Sequence, residues 1–261
     1  VQGATTEEEM DLNETQISEL SNPSVINILH LSCFKLAGKS GVGFQYVKDY
    51  RFCTGGMGTG FFVNSDGLLA TNGHVVKIFP EEAVVQGILG GDLIQYMIDL
   101  IRDSMLAMGK EVSQTEAIIL IQDALSNNPQ IINAFLEDTY RLMDKGLLLA
   151  TNDETEYFVR MGDQSFEINS MLFKPGLIKN AVKKSEGIYR ASLVKTEYQN
   201  SLSPDVILRK KEVGGVDLAL MKIDDETGIK SYPALRLQRG EGGIKEGGRL
   251  LVIGYPGLVS G

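Results

Sequence analysis

At 261 residues, with 43% hydrophobic and 23% charged side chains, the chain can bury a sizeable core, as one large domain or two small ones, and has an ordinary globular composition. Its 25 basic and 34 acidic side chains give a formal charge of −9, and no Lys/Arg cluster is dense enough for a phosphate-binding face, so nucleic acid is excluded as an expected partner. No apolar run approaches the roughly 18 to 20 residues that a membrane span needs.

Residues 1–22 are polar and acidic, carry no signal-peptide pattern, and read as a flexible arm or short helix at the front of a processed chain. From Ser24 the texture changes. SVINILHLSCF and FQYVKDYRFCT are β-rich runs separated by the turn-forming AGKSGVG. Cys33 and Cys53 lie in these two runs and could pair across the hairpin, or remain two buried thiols. A bridge closing so short a loop would contribute about 3 kcal/mol and would imply an oxidising, extracytoplasmic compartment. GTGFFV and LLATN follow, joined by the turn Asn64-Ser65-Asp66-Gly67, so the period stays at two up to residue 79, as in an antiparallel sheet or barrel.

Between residues 80 and 146 the period shifts to about 3.6. Leu93, Met97, Ile101 and Met105 form the stripe of one helix. SQTEAIILIQDALS predicts a second, with Ser113 as N-cap and Glu116 completing a capping box. A third is expected from Asn128-Pro129, presenting Ile132, Leu136 and Met143. This block reads as a helical insertion in a β framework, either a self-packed decoration or a lid or docking surface for a protein partner beside a cleft. Strand texture returns in LLLATN, EYFVRM, SFEI, GIYRASLVKTE and DVILRK, then in VDLALMKID and RLLVIGYPG. GEGGIKEGG reads as a connecting loop.

Histidine is scarce: the chain holds only His30 and His74. His30 sits mid-strand between Leu29 and Leu31, a packed or edge position. His74 follows Asn72 and Gly73 at the end of a stiff hairpin, where an imidazole can be held rigidly at the rim of a cleft as a general base. Taken alone it also reads as an ordinary surface histidine. Asp217 leads directly into the apolar run Leu218-Ala219-Leu220-Met221. A carboxylate there needs a partner, and orienting a histidine would supply one; a turn cap is the commoner alternative.

Together, GTGFFVNSDGLLATNGHVV, VDLALMKI and GGRLLVIGYPG resemble the trypsin-fold serine endopeptidases, specifically the HtrA-like branch. NPSVINILHLSCF likewise resembles that family's first strand. The resemblance covers roughly residues 22 to 79 and 185 to 261, with the order His before Asp that places the serine last. It implies a mainly β fold: the first antiparallel β-barrel of a trypsin-like double-barrel fold, with a large α-helical insertion. Residues 23–79 and 147–240 would form that barrel, 80–146 the insertion, and 241–261 the start of the crossover to a second barrel. His74 would be the base and Asp217 its orienting acid, acting on polypeptide substrates through an acyl-enzyme. No cofactor is implied.

The sequence departs from the family in two respects. The insertion lengthens the spacing between base and acid several-fold, and no Gly-(Asn/Asp)-Ser-Gly-Gly loop occurs. Ser260 fits no nucleophile motif, so the serine and its oxyanion hole are expected in a second barrel of a longer protein, and this chain alone is expected to be inactive. The alternative is a catalytically inactive protease-fold module that binds peptides or proteins.

Other motifs carry less. AGKSGVG has Cys33 where a phosphate-binding loop needs glycine, and GGMGTGF lacks dinucleotide-binding spacing. Asp224, Asp225 and Glu226 read as a solvated turn rather than a calcium loop, and the scattered His and Cys residues do not suggest zinc.

Overall fold

The structure, a computed structural model, describes residues 13–39, 41, 43–128, 130–162, 165–198, 216–224, 228–235 and 252–254. Helix α1 (Glu14–Ser21) opens on a capping box between Asn13 and Gln16. Six antiparallel strands then close a barrel in the order β1-β2-β3-β6-β5-β4. They are β1 (Val25–Gly38), β2 (Asp49–Phe62), β3 (Leu68–Thr71), β4 (Leu148–Met161), β5 (Ile188–Thr196) and β6 (Ala219–Ile223).

Strand lengths explain the architecture. The short strand β3 pairs only with the Gly60–Phe62 end of β2, and β5 pairs only with Tyr157–Arg160 of β4. The barrel therefore closes around the first half of β1, while the long remainders of β1, β2 and β4 run on as a three-stranded extension. Between residues 76 and 148 the chain is helical: α3 (Pro80–Leu89), α4 (Ile94–Ala107), α5 (Gln114–Asn127) and α6 (Ile131–Asp144).

The alternation of β1 assigns each face a neighbour. Ile26 and Ile28 point into the barrel with Phe62, Leu69, Val159 and Met221. Phe34 and Leu36, on the same face but past the barrel, pack with Phe52 and Leu148 against Val84, Leu93, Tyr96 and Met97 of α3 and α4. Leu29, Leu31 and Cys33 face the other way and are covered by Phe166, Ile178 and Val182. The helical block is thus not packed on itself alone: it shares a core with the β1–β2–β4 extension. Polar contacts reinforce this. The carboxylate of Asp103 accepts backbone N–H groups of Gln45, Tyr46 and Val47, Tyr50 donates to Asp99 at 2.8 Å, and Thr54 donates to Gln86 at 2.7 Å.

The sequence reading differs from the structure at several boundaries. FQYV lies before β2, and GTGFF is its continuation rather than a new strand. LLLATN and EYFVRM merge into β4, and SFEI makes only an isolated bridge, Ile168 to Val182. Helix α3 went unpredicted because its ten residues are too few to show a long apolar stripe. Helix α6 starts at Ile131 with Gln130 as N-cap, not at Asn128. The Ser113–Glu116 capping box is present as expected. DVILRK, GEGGIKEGG and most of RLLVIGYPG lie outside the described residues. Among the described residues no single helix is long and apolar enough to cross a membrane.

Candidate active site

The turn between β2 and β3 is set by Asn64, whose side chain accepts from the backbone of Asp66 and Leu68, and by Gly67 at φ +82°. After β3 the chain does not simply end as a strand. It coils into the one-turn helix α2 (Gly73–Val76), which carries His74. Small residues beneath and beside this turn make its position possible. A Cβ on Gly58 would lie 2.5 Å from the Val75 side chain, and one on Gly73 would lie 2.2 Å from Cβ of Tyr198. Val76 drops into the barrel core, and its carbonyl accepts from the Tyr157 hydroxyl at 2.8 Å. These contacts tie α2 to the barrel wall.

Strand β6 delivers the carboxylate. It pairs with β3 from Leu68–Lys222 to Thr71–Ala219, so Asp217, two residues before β6, arrives beside the residues that follow Thr71. Nδ1 of His74 lies 2.6 Å from Oδ2 of Asp217, across 143 residues of sequence. The other oxygen, Oδ1, accepts the backbone N–H of His74 at 3.0 Å, and Asn72 donates to Oδ2 at 3.3 Å. Burial pushes the Asp217 carboxyl up, but the hydrogen bonds from the His74 backbone and ring and from the Gly73 backbone outweigh it and hold the pKa below the usual value. With Nδ1 engaged as the donor, Nε2 is left as the acceptor, and it makes no hydrogen bond among the described residues. The His74 side chain is 55% exposed and that of Asp217 39%, so the ring faces outward. Tyr198 stands edge-on to it, with centroids 6.3 Å apart.

Two contributors were missed by sequence reasoning. Asn72 enters the sequence reading only as a residue that precedes His74, although its place two before His74 was a usable signal. Glu82, on α3, is raised in pKa by burial, with the Phe79 backbone and the charge of His74 pulling the other way. The helical block thereby brings a second carboxyl into the electrostatic reach of His74, which could not be foreseen without α3.

The remaining candidates divide cleanly. Cys33 and Cys53 are cross-strand partners in β1 and β2 and are joined by a disulfide. His30 is 2% exposed, inside the barrel, stacked on Tyr157 and hydrogen-bonded to Ser32 at 2.6 Å. Its Nδ1 has no regular hydrogen-bond partner among the described residues. Burial drives its pKa down to about 4, opposed by the nearby Val75 backbone. Asp224 accepts from Ser192 at 2.9 Å. Ser260, Ser40, Asp225 and Glu226 lie outside the described residues. Among the described residues no group of three or more His, Cys, Asp or Glu side chains is placed to hold a metal ion.

No family model matches this chain, and no curated protein matches it.

Proposed function

We propose that the chain is the base-and-acid barrel of a trypsin-like, HtrA-like serine endopeptidase. The carrying observation is the contact between His74 Nδ1 and Asp217 Oδ2, with the second carboxylate oxygen locked to the His74 backbone and Nε2 turned outward. In this reading Asp217 fixes the tautomer and stabilises the imidazolium. Nε2 takes the proton of a serine hydroxyl as it attacks the scissile carbonyl, then returns a proton to the leaving amine. The closed six-stranded barrel and the order His before Asp agree with this reading. The serine, the oxyanion hole and the specificity pocket would belong to a second barrel following residue 261. The Cys33–Cys53 disulfide supports an extracytoplasmic site of action.

A second reading is a catalytically silent module that binds polypeptides. The test is fluorophosphonate labelling of the full-length encoded protein. Labelling that disappears in His74→Ala supports the peptidase. A full-length protein that is never labelled, yet retains unfolded polypeptides, would establish the silent module instead.

A further inference from the structure

The stretch that covers the outer face of β1 and β4 turns back at residues 178–184 before entering β5, and it leaves a cavity of about 700 Å³ against the barrel wall. Among the described residues, four cations line that cavity, Lys179, Lys183, Lys184 and Arg190, against one carboxylate, Asp224. In a chain with a formal charge of −9 this is a local reversal of sign. Two of the cations have partners: Lys183 reaches Glu167 at 2.7 Å, and Arg190 lies 3.6 Å from Glu156 while donating to the Lys179 carbonyl. Lys179 and Lys184 form no ion pair among the described residues, and Asp224 is already engaged by Ser192. The cavity is not uniformly polar. Ile188, half-buried, supplies apolar lining above the buried Phe158 and Val182.

We propose that this cavity binds a short acidic peptide segment carrying an apolar side chain. Its carboxylates would meet the ammonium groups of Lys179 and Lys184, and the apolar side chain would lie on Ile188 above Phe158 and Val182. The volume falls within the roughly 300–1,000 Å³ range of sites that enclose ligands of several hydrogen-bonding groups, and it exceeds what one small inorganic anion fills. A concave recess with an apolar floor suits an inserted side chain better than a flat lipid surface. Charged walls of one sign also raise the local concentration of an oppositely charged partner. The recess lies at the far end of β6 from Asp217. Asp224 stands seven positions after Asp217 along the line of β6, about 23 Å at about 3.3 Å per residue of extended chain. The inference therefore stands independently of peptide hydrolysis.

The experiment measures fluorescence anisotropy of a fluorescein-labelled Glu-Glu-Phe-Glu-Glu peptide with the full chain, beside a Gln-Gln-Phe-Gln-Gln analogue. The expected result is binding of the acidic peptide at least tenfold tighter than the analogue. The Lys179→Glu/Lys184→Glu variant should weaken it at least tenfold, and the charge-matched remote pair Lys48→Glu/Lys110→Glu should change it less than twofold. Independently of any variant's folding, the bound acidic peptide should protect Lys179 and Lys184 of the unaltered chain from acetylation, read by mass spectrometry. Absence of binding, equal loss in the remote pair, or no protection would overturn the proposal. So would displacement by inorganic phosphate at matched ionic strength, or preferential binding to phosphatidylserine vesicles.

Discussion

Asp217 holds His74 at two points, accepting a hydrogen bond from the ring Nδ1 through one oxygen and from the residue's own backbone N–H through the other. Ring orientation and backbone position are thus fixed by one carboxylate. On the proposed peptidase reading, and in a protein that carries the serine, Asp217→Asn should lower kcat for a peptide substrate by roughly 10³- to 10⁴-fold, since an amide no longer enforces the tautomer that leaves Nε2 as acceptor. Steady-state kinetics at pH 7 to 9 read this. A change under tenfold would contradict the proposed role.

The position of α2 depends on the absence of a side chain at residue 73. Gly73→Ala would place a Cβ 2.2 Å from Tyr198 Cβ, so the turn or the tyrosine must move. Overpacking of this kind costs about 1–3 kcal/mol. The downfield proton resonance of the His74–Asp217 bond should shift or vanish, and urea denaturation should show the matching loss of stability.

Asp103 ties the helical block to the β1–β2 hairpin through three backbone N–H groups. Asp103→Ala leaves those donors without their charged acceptor; a hydrogen bond to a charged group contributes about 1.5–3 kcal/mol net, less where water can reach the freed N–H. A net loss of about 2–4 kcal/mol is expected by denaturant titration. Excision of residues 82–145 should be worse tolerated than loss of a mere lid, because it uncovers Phe34, Leu36 and Phe52.

His30 makes stability depend on acid. Its folded pKa of about 4 lies below the usual value of 6.5, so the neutral form is the one the fold prefers. The stabilisation is fully present above about pH 6.5 and is lost as pH falls through 4. The total is about 3 kcal/mol, at 1.36 kcal/mol per pKa unit. Urea titrations at pH 7 and pH 4 should show this loss, and His30→Gln should flatten it.

Reduction of Cys33–Cys53 opens a loop spanning 20 residues. About 3 kcal/mol should be lost, read as a lowered denaturation midpoint in the presence of a phosphine reductant.

How much of this was legible in the sequence depends on the range of the signal. The Asn64–Gly67 turn and the Ser113–Glu116 box are local hydrogen-bonding patterns, and both are found where residue chemistry put them. The closeness of His74 and Asp217 is not local. It was readable only through motif resemblance, because nothing local to residues separated by 143 positions encodes the β3–β6 register. The full lengths of β2 and β4 were hidden by internal Gly55-Gly56 and by the polar Asn152–Thr155, residues that ordinarily mark turns. Cross-strand pairing with β1 overrides that local preference. Glu82 was invisible because its electrostatic relation to His74 exists only in the folded chain.

Strand β1 contributes side chains to all three hydrophobic clusters: Ile26 to the barrel interior, Phe34 to the core shared with the helical block, and Leu31 to the outer face under Phe166 and Ile178. No cluster can therefore melt without disturbing the others through a common spine. The described residues should lose structure as one cooperative unit rather than region by region. Amide protons in the middle of β1 should accordingly exchange with solvent only when the whole assembly opens, which makes that strand the kinetic timekeeper of the molecule.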